Sequence, residues 1–166
     1  MAESRLDAIE AALQSGAAAI RADGGTTYHY TPDLVDVVGF YDELGAGREV
    51  VWLFRAGEEE HAEETTGDAA SGFGMLATAE FFLLVACHFD PSGEEPGDQP
   101  DPSRSRVVNR LVRDAIRFLL SDVQLGGLAE NVVNGSLFVN RDMFHEKWAL
   151  AELRFVVRYS YQSLTP

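Results

Sequence analysis

Apolar residues recur at three- and four-residue spacing in two stretches of the chain and at alternate positions in others, which predicts helices packed on a sheet. The clearest helical stretch follows Arg104. There Val108, Leu111, Val112, Ala115, Ile116 and Leu119 share one face, as a helix seeking a core requires. Arg106, Arg110, Arg113 and Arg117 recur at spacings that place their guanidinium groups along a second face of the same helix. An opening helix is predicted from Leu6, Ile9, Leu13 and Ile20, with Ser4 and Asp7 at its N-terminal cap and Gly24-Gly25 at its end.

Strand patterns lie between and after these helices. Val50 to Arg55 is β-branched and aromatic, and Leu76 to Phe89 is a longer run with Ala79, Phe81, Leu83, Val85 and Cys87 on one face. Thr78, Glu80, Phe82, Leu84 and His88 take its other face, and the two strands are expected to pair as a hairpin. The chain closes with Ala151, Leu153, Phe155, Val157, Tyr159 and Tyr161 alternating with Glu152, Arg154, Arg158 and Ser160, the mark of an antiparallel strand with one wet face. Shorter strands are predicted at Tyr28 to Tyr30, before the turn at Pro32, and at Asn131 to Phe138, after the helix stop at Gly126-Gly127. Asn140 to Lys147 reads as a turn, and Asp36 to Leu44 reads equally as strand or loop.

Two connections are expected to be surface loops. Gly57 to Gly74 begins with Glu58, Glu59, Glu60, Glu63 and Glu64, ends in small residues, and exceeds the length of an ordinary hairpin loop. Asp90 to Ser103 is acidic and rich in proline. The resulting order, α-β-β-β-α-β-β with a long hairpin loop, implies an α+β fold: a small antiparallel or mixed sheet with two helices packed on one face. No internal repeat or shift in composition divides residues 1–166, so a single domain is expected.

Charge is distributed unevenly along this pattern. The chain has 27 acidic residues against 13 Lys plus Arg, a formal net charge of -14. Five of the basic residues lie between Arg104 and Arg117, whereas Gly57 to Ser103 holds twelve acidic residues and no Lys or Arg. Solvated acidic surfaces account for this simply. A second account is that acidic segments of one copy meet the arginines of the next, a head-to-tail contact that closes into a ring if the rotation allows. A pI near 4.5 argues against non-specific binding of duplex DNA by the whole surface. The N-terminus, with Glu3, Arg5 and Asp7, does not read as a signal peptide, and no apolar run reaches membrane-spanning length, so synthesis in the cytoplasm is expected.

Residues with chemical potential are scattered. Cys87, the one cysteine, lies inside an apolar run and reads as a buried thiol. His29, His61, His88 and His145 show no zinc-site spacing, and Glu58 with His61 would approach each other only on a helix. No nucleophile elbow, dinucleotide fingerprint or phosphate loop is present. Neither catalytic residues, metal ligands nor cofactors are therefore expected. A small-ligand-binding domain remains an alternative, with Tyr28, His29, Tyr41 and Glu80 available to line a pocket, and a DNA-binding adaptor using the arginine helix is another. Most aromatics alternate along strands and read as core, because no arginine or lysine interleaves the middle strand. Trp52 and Trp148 read as core or interface anchors, and Met143 with Phe144, followed by Trp148, forms a candidate docking tip.

The run Asp122-Val123-Gln124-Leu125-Gly126-Gly127-Leu128, the Asn131-Val132-Val133 segment and the last strand, Ala151-Glu152-Leu153-Arg154-Phe155-Val156-Val157-Arg158-Tyr159, together resemble the tail terminator proteins of long-tailed bacteriophages, also called tail completion or minor tail proteins. The resemblance is strongest from Arg104 to Tyr161 and covers the first half as element order. It implies a structural virion protein of the tail and neck, a homo-oligomer in a hexameric ring that caps the tail tube and meets the head-side connector. A head completion protein of the neck is the alternative within that setting. Genomic DNA would pass through the lumen without specific binding, and no membrane would be involved. On this reading Arg106, Arg110, Arg113 and Arg117 are expected at the subunit interface, with Glu58, Glu59, Glu60, Glu63 and Glu64 facing a neighbouring copy there or the lumen.

Overall fold

The computed structural model describes residues 4–35, 49–64, 73–88, 104–143, 145 and 148–163. Its elements, in chain order, are α1 (Arg5–Ala18), β1 (Asp33–Leu34), β2 (Val50–Glu64), β3 (Phe73–His88), α2 (Arg104–Ser121), a 3₁₀ turn (Leu125–Gly127), β4 (Phe138–Asn140) and β5 (Trp148–Ser163). The strands form one mixed sheet in the order β1-β2-β3-β5-β4. β1 runs parallel to β2, and the remaining pairs are antiparallel. The α+β class, the element order and the two helices on one face agree with the sequence pattern.

Alternation explains the main core. Val50, Trp52 and Phe54 of β2, Ala77 to Cys87 at alternate positions of β3, and Ala149 to Tyr159 at alternate positions of β5 bury one sheet face against Ile9 and Leu13 of α1 and Val108, Leu111, Ala115 and Leu119 of α2. Phe81 and Phe155 stack at its centre, ring centroids 5.8 Å apart. α1 starts where the Ser4 hydroxyl accepts the Asp7 N–H, as the capping pattern requires. At the other end of α2 the chain reverses through Leu125, Gly126 and Gly127, all at positive φ. That conformation is easy for glycine, so the pair serves the turn after α2; both helices end before the glycine stops expected for them, α1 at Ala18 and α2 at Ser121.

The expected loop from Gly57 to Gly74 is corrected. Residues Gly57 to Glu64 continue β2, Phe73 and Gly74 begin β3, and 65–72 lie outside the described residues. A bulge between Ala56 and Glu59 shifts the register, after which Glu59, Glu60 and His61 pair with Ala79, Thr78 and Ala77. Glutamates are poor strand formers by propensity, but an edge strand with an apolar neighbour on one side tolerates them, because they project into water.

Two shorter expectations are also corrected. Tyr28 to Tyr30 is not a strand, because the N–H groups of His29 and Tyr30 donate to the Asp114 carboxylate and are not free for a ladder. The parallel pairing falls after Pro32, at Asp33 and Leu34. Asn131 to Phe138 makes only an isolated bridge, Asn131 to Arg158, before β4 begins at Phe138. There the Asn131 side chain accepts the Val133 N–H and Gly135 takes a positive φ, so the segment turns. The segments Asp36 to Leu44 and Asp90 to 103 lie outside the described residues, as do Tyr41, Phe89 and Phe144.

Candidate interface surfaces

The arginine helix divides into engaged and unengaged side chains. Arg117 donates to the carbonyls of Thr26 and Thr27, and the Arg110 charge lies near the Tyr30 hydroxyl and opposes the rise of its pKa. Arg104 donates to the carbonyls of His145 and Trp148. Arg106 and Arg113 are exposed and have no ion-pair partner among the described residues. The stripe is thus a row in sequence but only partly a free cationic surface.

Beside it lies an open cleft of about 670 Å³. Val112, Ile116 and Leu120 line its apolar part, and Arg113, Arg117 and Arg141 supply three cations, the last from the turn after β4. Leu120 is 54% exposed, a large apolar residue left in water next to those arginines.

Holding α2 in place is a residue that periodicity did not single out. Asp114 is 1% exposed and accepts the N–H groups of His29 at 2.8 Å and Tyr30 at 3.0 Å. Its other oxygen lies 2.8 Å from His29 Nδ1. An aspartate set three residues after Leu111 and four before Phe118 falls within the apolar stripe, and that spacing is the signal that could have exposed it. Burial pushes the Tyr30 hydroxyl up to about 12, with Cys87 and Asp114 adding to the rise and Arg110 opposing it. Tyr28 is raised in the same way, chiefly by burial. The arrangement fastens the segment after α1 to α2.

The acidic residues stand on another element. Glu58, Glu59 and Glu60 are exposed on β2, and Glu63 and Glu64 lie on the same strand. Glu59 pairs with His61 Nε2 at 3.2 Å, and His61 Nδ1 lies 2.9 Å from the Tyr161 hydroxyl, across the small residue Ala77. Glu58 and His61 sit on a strand, so the helical proximity that a shared metal would need does not arise.

The sheet face away from the helices carries a pattern built by register alone. Arg55, Phe82, Arg154 and Phe138 stand opposite one another across β2, β3, β5 and β4. The Arg55 guanidinium lies 4.8 Å from the Phe82 ring centre, and Arg154 lies 5.9 Å from Phe82 and 5.1 Å from Phe138. Arginines of neighbouring strands therefore do flank the middle strand's outward aromatic. Glu80 approaches Arg154 at 3.7 Å on this face, and Glu152 shares it, so the local charge is mixed. Such a face does not suit a polyanion.

Other sequence candidates separate. Tyr28 and His29 lie on the helix side and Glu80 on the outer side, so they do not converge on one pocket. Trp148 is 1% exposed and packs with Val51, Leu53, Ala86 and Leu150 in a second, smaller core. It is a core anchor and not part of an exposed tip, and Met143 is partly buried against the same cluster. Comparison with known proteins adds no relative. No family model matches the chain, and no curated protein matches it.

Proposed function

We propose that this chain is a structural subunit that assembles with copies of itself into a closed ring, the tail terminator at the head-proximal end of a bacteriophage tail tube. The ring ends tube polymerisation and offers a surface to the head-side connector. Catalysis plays no part in the reading, which rests on edges and faces. It begins from the likeness of residues Arg104 to Tyr161 to the tail terminator family.

One structural observation carries it. β2, β3 and β5 are 15 to 16 residues long, yet β1 and β4, which flank them, have only two and three. Beyond Trp52 the outer edge of β2 meets no strand among the described residues. A strand edge of that length is a liability in a monomer and an asset in an assembly. The glutamates along it supply the restraint a terminator needs, since like charges stop copies from stacking edge to edge without limit. The basic cleft on α2 is a different surface, so contacts between copies are head-to-tail and closure depends on rotation.

Tail length tests the reading. Particles made without this chain are expected to carry tails of irregular or excessive length, and the chain is expected at the neck in imaged virions. Normal tails in its absence, or virions that contain none of it, contradict the proposal.

A further inference from the structure

We infer that the cleft on α2 is the socket for the glutamate-bearing arm of β2 in a second copy of this chain. The inference rests on the ring reading and names the two surfaces that join its subunits. The cleft has the composition of a protein contact. Its apolar part, Val112, Ile116 and Leu120, is bordered by three guanidinium groups, and no carboxylate among the described residues lines it. Arginine beside exposed leucine is the pairing that contributes most at interface centres, where shielding from water strengthens each charge contact.

The arm complements it. Glu58 and Glu60 are exposed and make no ion pair among the described residues, although Arg158 stands in the same row as Glu60 beyond Thr78, while Arg113 and Arg141 make no ion pair there either. Arm and cleft of one copy do not meet: α2 packs on β3 and β5, and no ion pair joins Glu58 or Glu60 to Arg113 or Arg141. The complementary charges are therefore left for another copy. With 27 acidic residues and 13 Lys plus Arg, carboxylates outnumber cations on this chain, so a cleft that gathers arginines beside apolar residues sets the specificity. Nucleic acid is the weaker occupant. Few phosphate contacts fit a cleft with three arginines, one of which already serves the Thr26 and Thr27 carbonyls.

Two full-length variants test the contact by sedimentation velocity: Arg113→Glu with Arg141→Glu, and Glu58→Arg with Glu60→Arg. Each alone is expected to assemble about 100-fold more weakly than the unaltered chain, because close interfacial charge pairs turn repulsive. An equimolar mixture is expected to recover assembly, since the acidic arm of the first meets the unaltered cleft of the second, and the basic arm of the second meets the acidic cleft of the first. Recovery also shows that both variants fold. If either variant assembles like the unaltered chain, or the mixture stays dispersed while the unaltered chain assembles, the socket is wrong and the ring reading stands. An unaltered chain that remains monomeric at millimolar concentration overturns the socket, and tail length then decides the ring reading separately. Retardation of duplex DNA by the unaltered chain, lost with Arg113→Glu and Arg141→Glu, assigns the cleft to nucleic acid and also overturns it.

Discussion

The two sides of the sheet handle polar groups in opposite ways. On the helix side the polar groups that join elements are closely bonded: buried Asp114 accepts two backbone N–H groups and contacts a histidine, and Arg117 caps two carbonyls. On the outer side most are more exposed, and in the central row they are loosely held, as in Arg154 and Glu80 at 3.7 Å or Arg154 over Phe138, itself 53% exposed, although Arg158 and Glu130 pair at 2.9 Å. The helix side uses polarity to define one packing. The outer side keeps it available to whatever lies against the sheet, and a periodic row of arginines in sequence does not reveal which of the two uses each side chain has.

Asp114→Ala is the strongest way to break this contrast. It strands two backbone donors in a buried place, and roughly 3–5 kcal/mol of stability should be lost, read from the urea midpoint. Asp114→Asn keeps one acceptor oxygen and should fall between. A loss under about 1 kcal/mol for the alanine variant would show that the helix side is not locked by this residue.

On the outer side the sharper test is a double-mutant cycle. A Cβ at Gly57 would come within 2.8 Å of the Phe82 ring, so the ring covers the glycine at the bulge. Gly57→Ala should cost about 1–2 kcal/mol by displacing the ring, and Phe82→Ala roughly 2 kcal/mol by removing a half-buried aromatic. Combined, the two should cost less than their sum, because the clash needs both partners. Strict additivity would detach the bulge from the cation-aromatic row. The α2 arginines should then differ among themselves: Arg117→Ala about 1 kcal/mol, for its carbonyl bonds, and Arg113→Ala under about 0.5 kcal/mol, as at an ordinary surface site.

Alternation made most of the fold legible. It put Phe81, Leu153 and Phe155 inside and Phe82, Glu152 and Arg154 outside, and the Ser4 cap stood where the backbone needs it, whereas α2 ends at Ser121, before the Gly126-Gly127 pair. What it missed has a common cause. The extension of β2 through Glu58 to Glu64 depends on an apolar neighbouring strand overriding local propensity. The row Arg55, Phe82, Arg154 and Phe138 depends on the register of four strands, which no single segment encodes. The arginine stripe was visible as a helical face, but the capture of Arg117 by the segment after α1 was not. That capture depends on where a loop without periodicity comes to rest.

The effect of Tyr30 is small at neutral pH and shows itself only in alkali. Its hydroxyl rises from the ordinary 10.0 to about 12, burial being the chief cause, so the folded chain holds this proton after the unfolded chain has released it. Below pH 10 both states are protonated, and the contribution of the neutral, buried phenol is fully present. Between pH 10 and about 12 the unfolded state binds fewer protons than the folded one, so stability falls as pH rises and levels off above the folded value. Tyr30→Phe has no such proton. It should differ little in stability at pH 8, and the unaltered chain should lose stability relative to it across that alkaline window, in urea midpoints taken at each pH. Tyr28, raised in the same direction by burial, leaves a residual slope in the variant, so a flat profile is not expected. Parallel profiles for the two proteins would mean that Tyr30 is as wet as the outer face, and the contrast between the two sides would fail at that point.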